Sequence, residues 1–465
     1  MMKGFRSVIF AAGTAWFLSV LSCGTTGVRE VRESPPAPAA PAPESTLAFA
    51  MRVQDTLDAG TVKDAISLFD TVDPETASAA GVRLMLASLL LSDNQLSQAE
   101  EIAAGLITDN PGDTDALVLA ALIAKAAGKG VQKRQYIARA LELDPSNPGA
   151  NVELGDEQML RRNYGRAARY YAKALEGDPK SPAALFGLGK SSYYLGNLKA
   201  AEGAFRTMTV LCPGESAPWA YLAKLETEKN DHKKAQSYLE KALGIDPGSY
   251  DALLDYGQNQ RAQGNLPQAA SAWERAVKVD PNYFLAYEYL AGVYDDMGQF
   301  DRSLKNYRMV ARTNPEYFYA YESIGVSAWK TGNWKECRQA LMKAREYNPG
   351  TISYPLLIFA AYCREGNRAE ARNYLAQVMR NMDRSTLEYA LARLYFDNIN
   401  ESSVVQKIMG ESSVNTRGKL LYYMGLYYDI NGAPDMARNF YLQVNEIIAP
   451  MFVEYRLNEW ALGRS

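Results

Sequence analysis

The sequence predicts an all-α fold of stacked helical hairpins, and three observations predict it. First, an acidic or amide residue followed by proline recurs at Asn110-Pro111, Asp144-Pro145, Asp178-Pro179, Asp246-Pro247, Asp280-Pro281, Asn314-Pro315 and Asn348-Pro349. Cys212-Pro213 fills the one gap, and every step between neighbouring prolines is 34 residues. Second, each period holds two runs of apolar residues spaced three and four apart, the pattern of one buried helix face. Third, a turn separates the two runs, as at Gly196-Asn197, where glycine suits the left-handed position just past a helix end. One such dipeptide marks only a turn, but a long series in register marks a repeat array.

The period 182–215 shows how each part is specified. Its first helix carries Leu185, Leu188 and Gly189, and its second carries Ala201, Phe205 and Met208. Small residues at 189 and 201 let the two backbones approach, and Phe205 fills the space beyond. Pro213 then stops the second helix, because proline has no N–H to donate and clashes with the preceding turn. The same positions are filled in 148–181 by Leu154, Gly155, Ala167, Tyr171, Ala174 and Pro179, and in 250–283 by Tyr256, Gly257, Gly264, Ala269, Trp273, Ala276 and Pro281. Trp219 takes the large-aromatic position in 216–249. In 284–317 Leu290, Tyr294, Gly298, Tyr307 and Pro315 match, while Ala291 and Ser303 stand at the small positions. In 318–351 Gly325 and Ala344 match, and Cys337 replaces the alanine of the second helix, small for small.

This constellation resembles the tetratricopeptide repeat (TPR) family. The resemblance implies a right-handed superhelical solenoid of about twelve helix-turn-helix units over 46–449. The units start near 46, 80, 114, 148, 182, 216, 250, 284, 318, 352, 386 and 418. The first two and the 386–417 unit are degenerate, and terminal units are expected to be atypical because one face of each meets water. Phe452, Tyr455 and Trp460 at helical spacing predict a C-terminal capping helix within 450–465.

The N-terminus reads as an address. Lys3 and Arg6 precede the apolar stretch Val8 to Val20. As a helix that stretch would rise about 20 Å, short of the roughly 30 Å hydrocarbon core of a bilayer, so residues 1–22 read as a signal peptide. The segment Val20-Leu21-Ser22-Cys23 resembles a bacterial lipobox. That resemblance implies a lipid on the Cys23 thiol, and a chain anchored to a membrane of the bacterial envelope and facing the periplasm. The Pro/Ala-rich stretch that follows, within 23–45, favours extended polyproline II and forms a tether.

Composition narrows the function. A formal net charge of -3 argues against a nucleic-acid partner, which calls for a strongly basic surface. The chain has four Cys and one His, a thin inventory for metal or nucleophilic chemistry. Cys212, Cys337 and Cys363 have no close spacing and read as packing or surface residues, and His232 lies in a polar stretch. Asp295 and Asp296 are adjacent, so they diverge around a helix instead of converging on a substrate. With no glycine-rich phosphate loop either, no enzymatic activity and no cofactor or metal is expected.

Binding is the function that the fold and the resemblance imply. The family binds peptides or extended segments on the face lined by the first helix of each pair. Some members hold a C-terminal carboxylate with paired Lys and Asn. The corresponding positions here are Val152 and Asp156, Phe186 and Lys190, Ala220 and Lys224, and Leu254 and Gln258, which do not form that clamp. Lys190 and Lys224 make the earlier lining mildly basic. A candidate partner-binding groove follows at Asp251, Asp255, Glu288, Tyr289, Asp295, Tyr319, Glu322 and Trp329, with Asp296 beside it and Tyr193 further back. Acids beside aromatics suit a partner's Lys or Arg. Tyr287, Tyr294 and Tyr321 occupy repeat-core positions. The expected role is a scaffold for other envelope proteins or extended peptides, with the membrane met only through the lipid. The alternative is an accessory module of a solute transporter or substrate-binding system.

Overall fold

The computed structural model describes residues 45–448, 450 and 452–463. The predicted signal peptide 1–22, the predicted lipidation site Cys23 and nearly all of the predicted tether lie outside the described residues. Among the described residues every regular element is helical, and no helix is long and apolar enough to cross a membrane. The chain forms two compact units that divide between Pro247 and Gly248.

The hairpin α10 (Pro182–Tyr194) and α11 (Leu198–Leu211) shows how the N-terminal unit is made. The Ser181 side chain accepts from the Ala184 N–H, and Pro182 takes the first helical position, where a missing N–H costs nothing. Gly196 turns the chain with φ +75, and the Asn197 side chain accepts from Ala200 N–H to start α11. A Cβ on Gly189 would lie 2.6 Å from the Phe205 ring, so the close approach needs glycine. The hairpins α6 (Thr114–Ala126) with α7 (Gly130–Leu143), α8 (Pro148–Leu160) with α9 (Tyr164–Gly177), and α12 (Ser216–Glu228) with α13 (His232–Ile245) follow the same plan. Their turns place Gly128, Arg162 and Asn230 at the same left-handed position.

The start of this unit is less regular. After α1 (Thr46–Ala59), the second helix α2 is only Val62–Ser67, followed by a single 3-10 turn at Leu68–Asp70. A further short helix, α3 (Pro74–Ser78), precedes α4 (Ala80–Ser92) and α5 (Leu96–Asp109). Asp73 caps α3 by accepting from Thr76 N–H, with Pro74 next to it.

The C-terminal unit opens with three regular hairpins: α14 (Tyr250–Ala262) with α15 (Leu266–Val279), α16 (Phe284–Asp296) with α17 (Phe300–Thr313), and α18 (Phe318–Lys330) with α19 (Trp334–Tyr347). The fully buried Trp273 donates from Nε1 to the Leu254 carbonyl at 3.1 Å. A Cβ on Gly257 would come within 2.2 Å of that same nitrogen. Ser303 and Cys337, at the small-residue positions, are both fully buried.

Beyond residue 350 the helices change length. α20 (Ser353–Arg364) and α21 (Arg368–Met379) precede the short pair α22 (Leu387–Asp397) and α23 (Glu401–Met409). Asn398 and Asn400 are both left-handed in the turn between the short pair. α24 (Val414–Ile430) is the longest helix, capped by Ser413, which accepts from Thr416 N–H. α25 (Pro434–Asn445) pairs with it, and α26 (Glu454–Ala461) lies inside the segment predicted to cap the chain. A continuous core joins these helices around the buried Tyr354, Tyr395, Tyr422 and Tyr423.

Candidate partner-binding face

The first helices of the C-terminal unit place the predicted residues in three groups. Asp251 is exposed in the first turn of α14, and Asp255 is half-buried one turn on. On α16, Glu288 and Tyr289 are half-buried, and the Tyr289 ring lies 5.2 Å from Trp273. On α18, Tyr319 is 53% exposed and stands in contact with Phe318 and Tyr317. Trp329, in contrast, is half-buried and meets Trp334 edge-on at 5.2 Å. Tyr287 and Tyr294 are buried, as their repeat-core positions require.

Glu288, Glu322 and Asp295 are engaged within the chain. Glu288 accepts from the Tyr317 hydroxyl at 2.6 Å, and Glu322 accepts from the Tyr354 hydroxyl at 2.6 Å. Burial raises the Glu322 carboxyl above its usual range, with the Tyr354 bond opposing that shift. Asp295 Oδ2 accepts from Tyr307 at 3.2 Å and from an Arg456 guanidinium nitrogen at 3.0 Å. Its neighbour Asp296 points elsewhere, pairing with Arg261 at 2.7 Å, as adjacency on a helix dictates. What the predicted face leaves toward solvent is chiefly Asp251 and Tyr319.

The Arg456 contact belongs to a cluster that periodicity alone does not reveal. α26 packs on α18, α24 and α25, and its Trp460 ring meets Phe300 edge-on at 6.3 Å. The Arg456 guanidinium lies 5.2 Å from the Phe300 centroid and 5.0 Å from that of Trp460. Lys330 Nζ lies over the same two rings, at 3.6 Å and 4.8 Å. Burial and the Arg456 charge push the Lys330 ammonium below its usual range. At the other end of α26, the buried Glu454 accepts from Ser353 Oγ and, at 2.8 Å, from the Tyr423 hydroxyl. The available signal was Arg456 standing four residues before Trp460, on the same face of a helix.

The N-terminal unit presents a different lining. Lys190 Nζ lies 5.3 Å from the Phe186 ring and Lys224 Nζ 5.5 Å from the Tyr221 ring. The two rings meet edge-on at 5.5 Å. Asp156 accepts from the Tyr171 hydroxyl at 2.6 Å, and burial raises its carboxyl. At a hairpin turn, Arg162, Arg166 and Arg169 line a shallow depression with Tyr164 and Leu195.

Among the described residues Cys212, Cys337 and Cys363 are free thiols, and burial pushes the Cys337 thiol up to about 12, which keeps it protonated at neutral pH. No group of three or more His, Cys, Asp or Glu among the described residues could hold a metal ion.

Successive helical hairpins, several of them locked by a glycine beneath an aromatic ring, define a helical-repeat protein. Two family models, both described as tetratricopeptide repeat, match residues 56–126 and 226–292, and residues 152–216 and 290–350. Together they span more than half of the chain, which belongs to the tetratricopeptide repeat family. The fold is similar to that of Pseudomonas aeruginosa PilF, with 20% identity over 46% of this chain and 97% of that one, at a TM-score of 0.36. It is also similar to a thermophilic TPR protein of Thermus thermophilus, with 21% identity over 37% of this chain and 94% of that one, at a TM-score of 0.33. A third is YrrB, described as a TPR protein with an unusual peptide-binding site: 19% identity, 40% of this chain, 96% of that one, TM-score 0.33. No curated protein matches the chain.

Proposed function

We propose that this protein is a lipid-anchored scaffold of the bacterial envelope that binds partner proteins or extended peptides along the first helices of its hairpins. The observation that carries the binding role is the repeat architecture itself. Stacking buries one face of every helix pair and leaves side chains such as Asp251 and Tyr319 toward solvent, where the core has no use for them. An exposed acid and an exposed aromatic on first helices of the same unit suit a cationic partner segment that runs along them. The family is generally one of non-catalytic scaffolds, which supports binding over chemistry. The envelope location rests on the sequence of residues 1–23, read as a signal peptide that ends at a lipobox cysteine.

Two measurements test the two halves of this reading. Metabolic labelling with a fatty-acid analogue, followed by membrane fractionation, should mark the native chain and should not mark Cys23→Ala; an unlabelled native chain removes the anchor. Pull-down from solubilised membranes should lose partners when Asp251→Lys is combined with Tyr319→Ala. Those positions serve better than Glu288 or Glu322, whose replacement would also break a tyrosine hydrogen bond. Unchanged recovery would show that binding lies elsewhere.

A further inference from the structure

The cluster around Asp295 has the form of a binding site already holding a ligand, and the ligand is a piece of the same chain. Arg456 and Trp460, one turn apart on α26, present a cation and an aromatic ring to a receptor made of Asp295, Tyr307, Phe300 and Lys330. We propose that this receptor takes a helix bearing an arginine and, four residues later, a large aromatic residue from a partner protein, and that α26 is its displaceable resident. The inference rests on the binding role proposed above and names the partner's chemistry and the element that competes with it.

Three features distinguish a resident from a permanent cap. The first is an incomplete ion pair. Arg456 engages only Oδ2 of Asp295, which it shares with Tyr307, while the buried Oδ1 has no hydrogen-bond partner. Arginine pairs best with a carboxylate through two parallel bonds, so an arginine arriving at a better angle would gain what Arg456 leaves unused. The second is like-charge crowding. Lys330 and Arg456 lie over the same two rings, and among the described residues Asp295 is the one acid paired with Arg456. The third is size. α26 has only eight residues, and its arginine side chain is 35% exposed. The buried contacts of Leu457 and Asn458 anchor its opposite face. A competing helix would therefore replace the Arg456 and Trp460 face, and α26 would have to release the other.

The test uses the full chain and a fluorescein-labelled peptide of residues 452–463 as the probe. Arg456→Ala and Trp460→Ala combined with Leu457→Ala should free the receptor, because they weaken both faces that hold α26. The peptide should then bind this variant at least about tenfold more tightly than it binds the native chain, whose receptor is open only part of the time. Adding Asp295→Asn to that variant should abolish the binding. Equal binding to native chain and variant, or none to a variant whose helical circular dichroism is native, overturns the proposal. If the variant does not fold, amide exchange on the native chain decides. Residues 454–461 exchanging well before 414–430 supports a displaceable helix, and the two exchanging together overturns it. A native dimer that the Arg456 and Trp460 replacements abolish would make the occupant a second copy, which also overturns the proposal. The peptide result is independent of partner capture, so failure of the scaffold reading and failure of this one are separately visible.

Discussion

The first helices of the two units offer contrasting faces built from the same hairpin. In the N-terminal unit Lys190 and Lys224 lie against aromatic rings of their own helices, Phe186 and Tyr221, so the contact is local to one or two repeats. In the C-terminal unit Asp295 is met by Arg456, 161 positions away in sequence. The hairpin framework is indifferent to which arrangement it carries, because the small-residue and aromatic positions that lock it are separate from the positions that face out. The glycines that lock the hairpins are thus distinct from outward positions such as Asp251 and Tyr319, although Glu288, Tyr289 and Glu322 also contact the packed interior.

The largest expected effect comes from breaking the lock that both units share. Gly257→Ala would drive a methyl into Trp273 and should cost about 3 kcal/mol, with Gly189→Ala against Phe205 similar. Urea unfolding measures both, and a loss under about 0.5 kcal/mol would show that the rings move aside freely. Next is Trp460→Ala, which removes the ring between Phe300, Arg456 and Lys330 and should cost about 2 kcal/mol. That loss should be confined to the C-terminal unit, so amide exchange in 114–245 should stay unchanged.

A third effect sharpens the contrast in how acids are treated. Asp295 has an arginine, but burial, with Asp113 and Asp144 nearby, pushes the Asp115 carboxyl up to about 6. A carboxyl raised in the folded state binds protons more tightly there than in the unfolded chain. The native protein should therefore gain stability from this group as pH falls through about 6 toward 4, and lose it as pH rises. Asp115→Asn should accordingly stabilise by about 1 kcal/mol at neutral pH, with the gain fading on acidification. A gain that grows on acidification would contradict the assignment. The smallest effect is Arg162→Gly. Arg162 has φ +57 where most other hairpin turns have glycine, and relieving that conformation should add roughly 0.5–1 kcal/mol, read as a rise in melting temperature.

How much of this was legible in the sequence differs by kind of contact. The hairpins were legible because their determinants lie within one period: Pro213 ends a helix, Gly196 turns the chain, and Gly189 admits Phe205. The substitutions Ser303 and Cys337 were legible as small for small. The short helix at 74–78 is out of register with the repeat, although Asp73-Pro74 is the same kind of cap-and-proline start as Asn147-Pro148 and Ser181-Pro182. On the candidate face, residue type and position were readable for Asp251 and Tyr319. The engagement of Glu288, Glu322 and Asp295 was not, because it depends on tyrosines of neighbouring helices and on α26. A 34-residue frame relates a residue to its counterpart in the next unit, and says nothing of a helix that folds back over several.

That return of α26 has a consequence for the order of assembly. Each hairpin can form as soon as its own two helices and one neighbour exist, so most of the chain condenses through contacts between segments close in sequence, the quickest kind to make. α26 has such a partner in α25, but its contacts also reach much further back. Its arginine waits for Asp295 and its glutamate for Ser353, 101 positions upstream, and both must already be held in place by the helices between. Docking of α26 onto Asp295 and Ser353 therefore waits for the helices between to fold. During synthesis, the Asp295 receptor would be complete and empty for an interval before its own resident arrives.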